Sequence, residues 1–401
     1  MTTPVGQQTF THDAAGNLAS FNRADGQTAG FTHDANRNLT SVTPPGETAH
    51  LYTYTPVNLL ASYTPPEVPG AGPTTYSYDA DRQLTSVALP DGQNIDYTYD
   101  NFGRLTSRRI QESARRTARP SRPVGHLDAA ATVRNPTQTI DYTYDPATGN
   151  LVTAAISGGE TVDWTYAGGL ITSEAWSGPV AGTVARTYDN NFWKTALTIN
   201  RGSPLNFAYD LDGLVTTAGA LAIQRTADTG LVSQTTLGAT SDSWTYDGYG
   251  ELTGYSAQAG GATVYSSQLT YNSLGQITGK TESIGGKTNS FTYTYDAAWR
   301  LATVSQNGAV IGRYSYDANS NWLTGTSASG TVSGTYDAQD RMLSLGNSTF
   351  TYGANGELAG QSTAGQNSSY TYDAVGNLIA ATAADGTALA YLCLLYTSRC
   401  V

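Results

Sequence analysis

Residues on which catalysis and metal binding usually rest are scarce here: four histidines, two cysteines and two methionines in 401 residues. Charge is sparse too, with only 13% Asp, Glu, Lys and Arg. No run of Leu, Glu, Lys and Ala of helical length occurs, so the expected class is all-β. No stretch of about 18 apolar residues occurs either, which leaves no candidate membrane-spanning helix and no expected membrane insertion. Met1-Thr2-Thr3-Pro4 lacks the basic and apolar regions of a secretory leader. The net charge of -11 argues against general nucleic-acid or anionic-membrane binding, since an acidic surface repels phosphates. G-x-S-x-G, P-loop and H-E-x-x-H patterns are all missing.

What the chain does have is 27 tyrosines and 43 glycines, arranged with a period. Tyr97 to Ser107, YTYDNFGRLTS, is the pattern copy. Tyr97, Thr98 and Tyr99 favour an extended backbone, and the two-residue period places both tyrosines on one sheet face. Asp100 to Gly103 fits a type I turn: Asp at the first position accepts turn N–H bonds, and Gly at the fourth tolerates positive φ. Leu105, Thr106 and Ser107 start a returning strand, so the unit reads as a β-hairpin with a bulged turn. Copies recur about every 21 residues: FTHDAAGNLAS from Phe10, FTHDANRNLTS from Phe31, YSYDADRQLTS from Tyr76, YTYDPATGNLVT from Tyr142, YTYDAAWRLAT from Tyr293 and YTYDAVGNLIA from Tyr370 among others. Such self-similarity marks a repeat architecture, in which each unit is stabilised by stacking on its neighbours. Tyr97, Tyr99 and their equivalents Tyr76, Tyr78, Tyr293 and Tyr295 are expected to lie in a row across neighbouring strands, as a ladder of cross-strand aromatic pairs. No composition shift divides residues 1–390, which read as one array.

The unit carried by Tyr97, Tyr99, Asp100, Gly103 and Leu105 resembles the YD repeat of Rhs proteins, bacterial wall-associated proteins, Tc toxin shells and teneurins. The resemblance implies tandem antiparallel hairpins spiralling into part of a hollow shell. It also implies a non-catalytic structural role: a segment that encapsulates a C-terminal toxin polypeptide in a secreted bacterial polymorphic toxin. The alternative it leaves open is a cell-surface module whose tyrosines bind a glycan or a protein partner. Either role places the chain outside the cell or on the bacterial surface. The first copy starts at Phe10 without a capping segment, so the array is expected to be incomplete at both ends.

Departures from the pattern are few. Prolines between Pro44 and Pro73 mark longer surface loops. Residues 108–134 lose the repeat and hold seven arginines, which reads as an irregular, solvated insertion, with a processing site or a basic patch as the functional alternatives. Gly-Gly at 158, 168, 260 and 285, Asn307-Gly308 and Asp385-Gly386 fall between copies and suit the turn that joins one hairpin to the next. At 391–401, Tyr391 keeps the register, but the string after it, which holds Cys393 and Cys400, resembles the translation of a transposon adaptor. That tail is expected to be non-native and to leave the array, with both cysteines unpaired.

Candidate chemistry is thin. Asp210 and Asp212 invite a calcium-loop reading, yet the further oxygen ligands and the terminal Glu are missing and the turn accounts for Asp210. His12 and His33 replace the second tyrosine of their copies, while His50 and His126 lie outside the motif; two imidazoles without a third ligand or a carboxylate make neither a metal site nor a triad. Rhs shells commonly end in a segment whose aspartate-dependent self-cleavage releases the toxin. The only Asp-Pro here, Asp145-Pro146, sits inside an ordinary copy, so no catalytic residue carries over. No catalytic, cofactor-binding or metal site and no cofactor is expected.

Overall fold

The computed structural model describes residues 7–111, 138–157 and 159–391. Among the described residues there are 35 strands, from Thr9–His12 to Ala388–Ala390, and no helix. Pairing is antiparallel between strands consecutive in the chain, as in Thr74–Tyr78 with Leu84–Ala88 and then Leu84–Ala88 with Asn94–Tyr99. The expected all-β class and tandem hairpins are what the chain adopts.

Each copy forms one hairpin around its aspartate. The Gly103 N–H donates to the Asp100 carbonyl at 3.0 Å, closing the type I turn, and the Asp100 N–H donates to the Arg104 carbonyl at 3.0 Å. Asp100 Oδ1 accepts the N–H groups of Phe102 at 2.9 Å and of Arg104 at 3.0 Å. Gly103 closes the turn at φ 81°, in the left-handed region that favours glycine. Beyond the turn the ladder slips by one residue: Tyr99 faces Leu105 while Thr98 faces Ser107, a β-bulge repeated in copy after copy.

Between copies the chain uses different turns. Gly260-Gly261, Gly285-Gly286 and Asn307-Gly308 each have two positive φ values and form tight two-residue connections. At Asp385-Gly386 the connection is instead a four-residue turn, closed by the Gly386 N–H on the Ala383 carbonyl at 2.9 Å.

Alternation along each strand sorts residues by chemistry. In Thr74–Tyr78 and Lys287–Tyr295 the tyrosines are half-buried and the intervening Ser or Thr exposed. The exposed face is held by hydroxyl pairs across each hairpin, such as Thr53 with Ser62 at 2.6 Å and Thr294 with Thr303 at 2.6 Å.

The chain divides into two compact units. The central unit comprises residues 164–175 and 181–333; the terminal unit comprises 7–163, 176–180 and 334–391. In the terminal unit, hairpins distant in sequence meet. The Gln339 amide donates to the Pro66 carbonyl at 2.7 Å, the Asp91 N–H donates to Asn355 Oδ1 at 3.2 Å, and Ala374 packs with Val87, Ile95 and Ile110. Among the described residues the nine buried hydrophobic side chains, Ile140 and Val162 among them, all belong to this unit.

One expected boundary moves. The irregular segment was placed at 108–134, but Arg108 to Gln111 continue the strand Leu105–Gln111, which pairs with Gln138–Tyr144 from Ser107↔Asp141 to Ile110↔Gln138. Burial of Ile110 beside Val87 and Ile95 holds this extension in register. The copies flanking the insertion therefore pair directly with each other. Residues 112–134, His126, and 392–401 with both cysteines lie outside the described residues; Tyr391 still donates its N–H to the Ile379 carbonyl at 2.9 Å.

Where a copy lacks the turn glycine, its replacement keeps the left-handed backbone: Arg37, Arg82, Phe192, Trp299, Ser320 and Asp340 have φ between 58° and 78°. Phe192 is also exposed. Phe192→Gly is expected to raise stability by about 1 kcal/mol through relief of this strain. The reverse change, Gly213→Ala, should destabilise, because it adds strain at φ 77° and a Cβ 2.9 Å from the Trp193 ring. Denaturant midpoints of the two variants should move in opposite directions.

Candidate functional site

The groups that repeat with constant geometry are those that tie one hairpin to the next. Within a hairpin the ladder runs up to the turn; between hairpins it ends earlier on the turn side, as at Gly279↔Thr292. Leu60–Thr64 and Thr74–Tyr78 share two residue pairs, Ser62↔Thr75 and Tyr63↔Thr74. The ladder between Leu84–Ala88 and Asn94–Tyr99 likewise stops at Ser86↔Asp96. Beyond that point the carbonyl of the residue that opens the returning strand faces the next hairpin with no backbone donor opposite it. A carbonyl in this position needs another partner.

The second tyrosine of the next copy supplies it. The Tyr99 hydroxyl donates to the Leu84 carbonyl at 2.8 Å, Tyr78 to Leu60 at 2.9 Å and Tyr54 to Leu39 at 2.9 Å. Eight further bonds of this kind, from Tyr144 to Leu105 through Tyr352 to Met342, measure 2.7 to 3.0 Å. Each hydroxyl thus latches its own hairpin to the one before.

A second contact covers the latch. The residue after the turn glycine, four beyond the aspartate, reaches across to the following copy. Arg104 Nε donates to Asp100 Oδ2 at 2.7 Å, and the guanidinium lies 4.6 Å from the centre of the Tyr144 ring. Arg300 joins Asp296 to the Tyr316 ring in the same way, and Arg341 joins Asp337 to Tyr352. Trp193 takes this place over Tyr209, with ring centres 5.2 Å apart. Gln83 lies against the next turn, where a Cβ on Gly103 would sit 2.8 Å from its amide nitrogen. Gly103 is favoured there by its φ, and a Cβ in its place would also make the Gln83 amide shift.

Titration follows from these contacts. Burial, with a smaller effect of Asp79, raises the Tyr99 hydroxyl above the ordinary 10.0; burial with Glu251 and Asp247 does the same to Tyr271. The Asp13 carboxyl is lowered, mainly by the Asn17 side chain and backbone N–H. At Asp100 burial pushes upward, but the Arg104 and backbone hydrogen bonds outweigh it and the net shift is downward.

The residues singled out in the sequence distribute as follows. Asp210 is a turn acceptor, taking the N–H groups of Asp212 at 3.0 Å and Leu214 at 2.9 Å. Asp145 accepts from Ala147 at 2.7 Å and Thr148 at 3.2 Å, the same role beside Pro146. His12 and His33 end strands at the second-tyrosine position. His50 Nδ1 shares a hydrogen bond of 2.8 Å with the Tyr63 hydroxyl, and the two rings stack. Among the described residues no three His, Cys, Asp or Glu gather as metal ligands.

The tyrosine stripe differs from expectation. Ring contacts do not link Tyr76, Tyr78, Tyr97, Tyr99, Tyr293 or Tyr295; they occur at Tyr52–Tyr63, Trp244–Tyr255 and Tyr255–Tyr265. Equivalent tyrosines recur on every second strand, about 9.5 Å apart, which exceeds ring-contact distance. Along the strands, rings meet where the adjacent strand also offers an aromatic, as Tyr63 does for Tyr52 and Tyr255 for Trp244. The sequence reading missed the hydroxyl-to-carbonyl latch; the second tyrosine, present in most copies and in none exchanged for Phe, which would serve packing equally well, was the available signal.

A meander of bulged hairpins, each latched by a tyrosine hydroxyl to a carbonyl of its predecessor, defines a YD-repeat shell-type protein. The Teneurin YD-shell family model matches residues 130–392, and the RHS repeat model matches 12–49 and 78–111. The chain belongs to the Teneurin YD-shell family. No curated protein matches it at sequence level. Among solved structures it is similar to a chain of the Photorhabdus luminescens Tc holotoxin pore, with TM-score 0.60, 12% identity, and coverage of 94% of this chain and 25% of that one. The TcdB2-TccC3 structure gives TM-score 0.59 at 12% identity over 96% of this chain and 27% of that one. The form of that complex without its hypervariable C-terminal region gives 0.59 at 13% over 93% and 26%. These likenesses concern the fold, and this chain spans about a quarter of the length of those chains.

Tyr99→Phe keeps the ring and leaves the Leu84 carbonyl without its donor, so a loss of about 1 kcal/mol is expected. Tyr97→Phe, at a hydroxyl with no hydrogen bond among the described residues, should change the denaturant midpoint little. Equal losses would remove the latch from the account. Because folding raises the pKa values of Tyr99 and Tyr271, the contribution of these two latches is complete below the ordinary 10.0 and falls as pH rises through the folded values. Asp13 and Asp100 are lowered in the folded state, so the contribution of their turns is lost as pH falls below the ordinary 3.8. Unfolding midpoints measured across pH should decline at both ends, the alkaline decline coinciding with tyrosinate absorbance.

Proposed function

We propose that the chain is a structural segment of a YD-repeat shell that encloses a C-terminal toxin polypeptide in a secreted bacterial polymorphic toxin. The observation that carries this reading is the run of hydroxyl latches: they join hairpin to hairpin at fixed geometry and use the tyrosines for construction. Family membership and the fold likeness to Tc toxin chains support it, and one of those structures is described by the removal of a hypervariable C-terminal region. The role is structural rather than catalytic, and it is exercised outside the cell or at its surface. A surface module that binds glycans or proteins through its tyrosines has less support, because the latch hydroxyls already serve backbone carbonyls.

The test is protease challenge of the whole gene product. A polypeptide encoded with the array should resist digestion at neutral pH and become digestible once the array is opened at a pH above the tyrosine range. Digestion at the same rate in both states would overturn the enclosure reading. Retention of the intact native product on immobilised glycans, abolished by Tyr97→Phe and Tyr293→Phe together, would favour the surface module instead.

A further inference from the structure

Hairpins in this chain have two kinds of edge: one made of the aspartate turns, the other of the turns that connect successive copies. In the terminal unit the two kinds meet. Gln339 and Ala374 sit in aspartate turns and Asn355 in the equivalent turn that starts at Gly353, and they contact Pro66, Asp91 and the Val87–Ile95–Ile110 cluster at the connecting-turn ends. Apolar residues at those ends are buried accordingly. Ile95, two residues before Tyr97, is 6% exposed, and Ile110, five after Leu105, is 6% exposed.

The central unit presents the same positions uncovered. Leu205, two before Phe207, is 40% exposed; Val332, two before Gly334, is 43% exposed; Ile199, five after Lys194, is 55% exposed. Its aspartate turns are apolar at their tips, with Phe192 at 72%, Tyr249 at 93% and Leu211 at 101%. Phe192 bears two costs, an exposed ring and a left-handed backbone at φ 65°, at a position where glycine removes both. A strained residue that also exposes apolar surface points to a contact made elsewhere. Both halves of the terminal unit's edge contact are thus available on the central unit.

We propose that the central unit is an assembly segment whose connecting-turn edge, at Ile199, Leu205 and Val332, receives the aspartate-turn edge of another YD hairpin row. For this chain in solution that row is a second copy, contributing Phe192, Leu211 and Tyr249. The contact is heterologous, one edge type against the other, so a copy with one edge disabled can still pair through its second edge. It follows from the internal contact of the terminal unit and does not depend on any enclosed cargo.

Sedimentation velocity over a concentration series tests this on the full chain. The wild type should self-associate. The connecting-edge variant Ile199→Asn/Leu205→Asn/Val332→Thr and the tip variant Phe192→Gly/Leu211→Asn/Tyr249→Asn should each associate roughly tenfold or more weakly, since a few apolar anchors dominate such contacts. Mixed, the two variants should form a one-to-one dimer that grows no further. The tip changes suit turn positions, so that variant remains informative if the strand-end variant does not fold, as read by circular dichroism. A wild type monomeric up to about 100 μM, which corresponds to contacts weaker than about 5 kcal/mol, would overturn the proposal. Unchanged association of the tip variant, or a mixture of folded variants that stays monomeric, would do so as well.

Discussion

The interaction on which this architecture depends is the bond from a tyrosine hydroxyl to a backbone carbonyl that the sheet leaves unpaired. Hairpins form locally, because Asp100 and its equivalents bind the turn N–H groups without help from other copies. What must be explained is why consecutive hairpins hold together, given that only two residue pairs join some of them. The bulge and the early end of the inter-hairpin ladder leave the Leu84-type carbonyl facing a gap. A side chain reaching it must be long, rigid and tipped with a donor. Tyrosine meets all three conditions with little rotamer entropy to lose.

Much of this was legible in the sequence, and what was not has a physical reason. The YxYD spacing fixes strand, face and turn, because each depends on residues adjacent in the chain. The latch acceptor is a backbone carbonyl in the preceding copy, and no side chain marks it. The residue covering the latch was hidden in another way: Arg104, Gln83 and Trp193 share a place but no chemistry. All three offer a flat or forked group that fits between a turn glycine and a tyrosine ring. Shape is conserved among these copies where identity is not, so letter-by-letter comparison passes over it. The expectation of an aromatic ladder failed for a simpler reason, since it ignored the strand that lies between equivalent tyrosines.

The two units show what the repeat does and does not determine. Latches occur in both, as at Tyr99 in the terminal unit and Tyr295 in the central one, so hairpin-to-hairpin coupling is a property of the motif. Burial of hydrophobic side chains is not, because among the described residues it is confined to the unit in which hairpins far apart in sequence meet. Nearest-neighbour coupling accounts for the array's continuity, while a conventional core requires an edge contact between hairpins hundreds of positions apart, such as Gln339 on Pro66.

This division of labour has a consequence for specificity. A latch that ends on a backbone carbonyl recognises any copy, whatever its side chains, so it cannot distinguish one hairpin from another. Selection of the correct distant partner must therefore reside in residues that vary between copies, and these are concentrated at the two turn edges. Ala374 is small and sits within an apolar cluster; Asn355 and Gln339 are polar and reach a backbone N–H and a carbonyl; Leu211 and Tyr249 are large and exposed. A Cβ added to the left-handed turn glycine is costly, yet seven copies, that of Asn58 included, tolerate a larger residue there. Such tolerance is intelligible if the turn tip is where each copy carries its own address, while the strands behind it repeat a common plan.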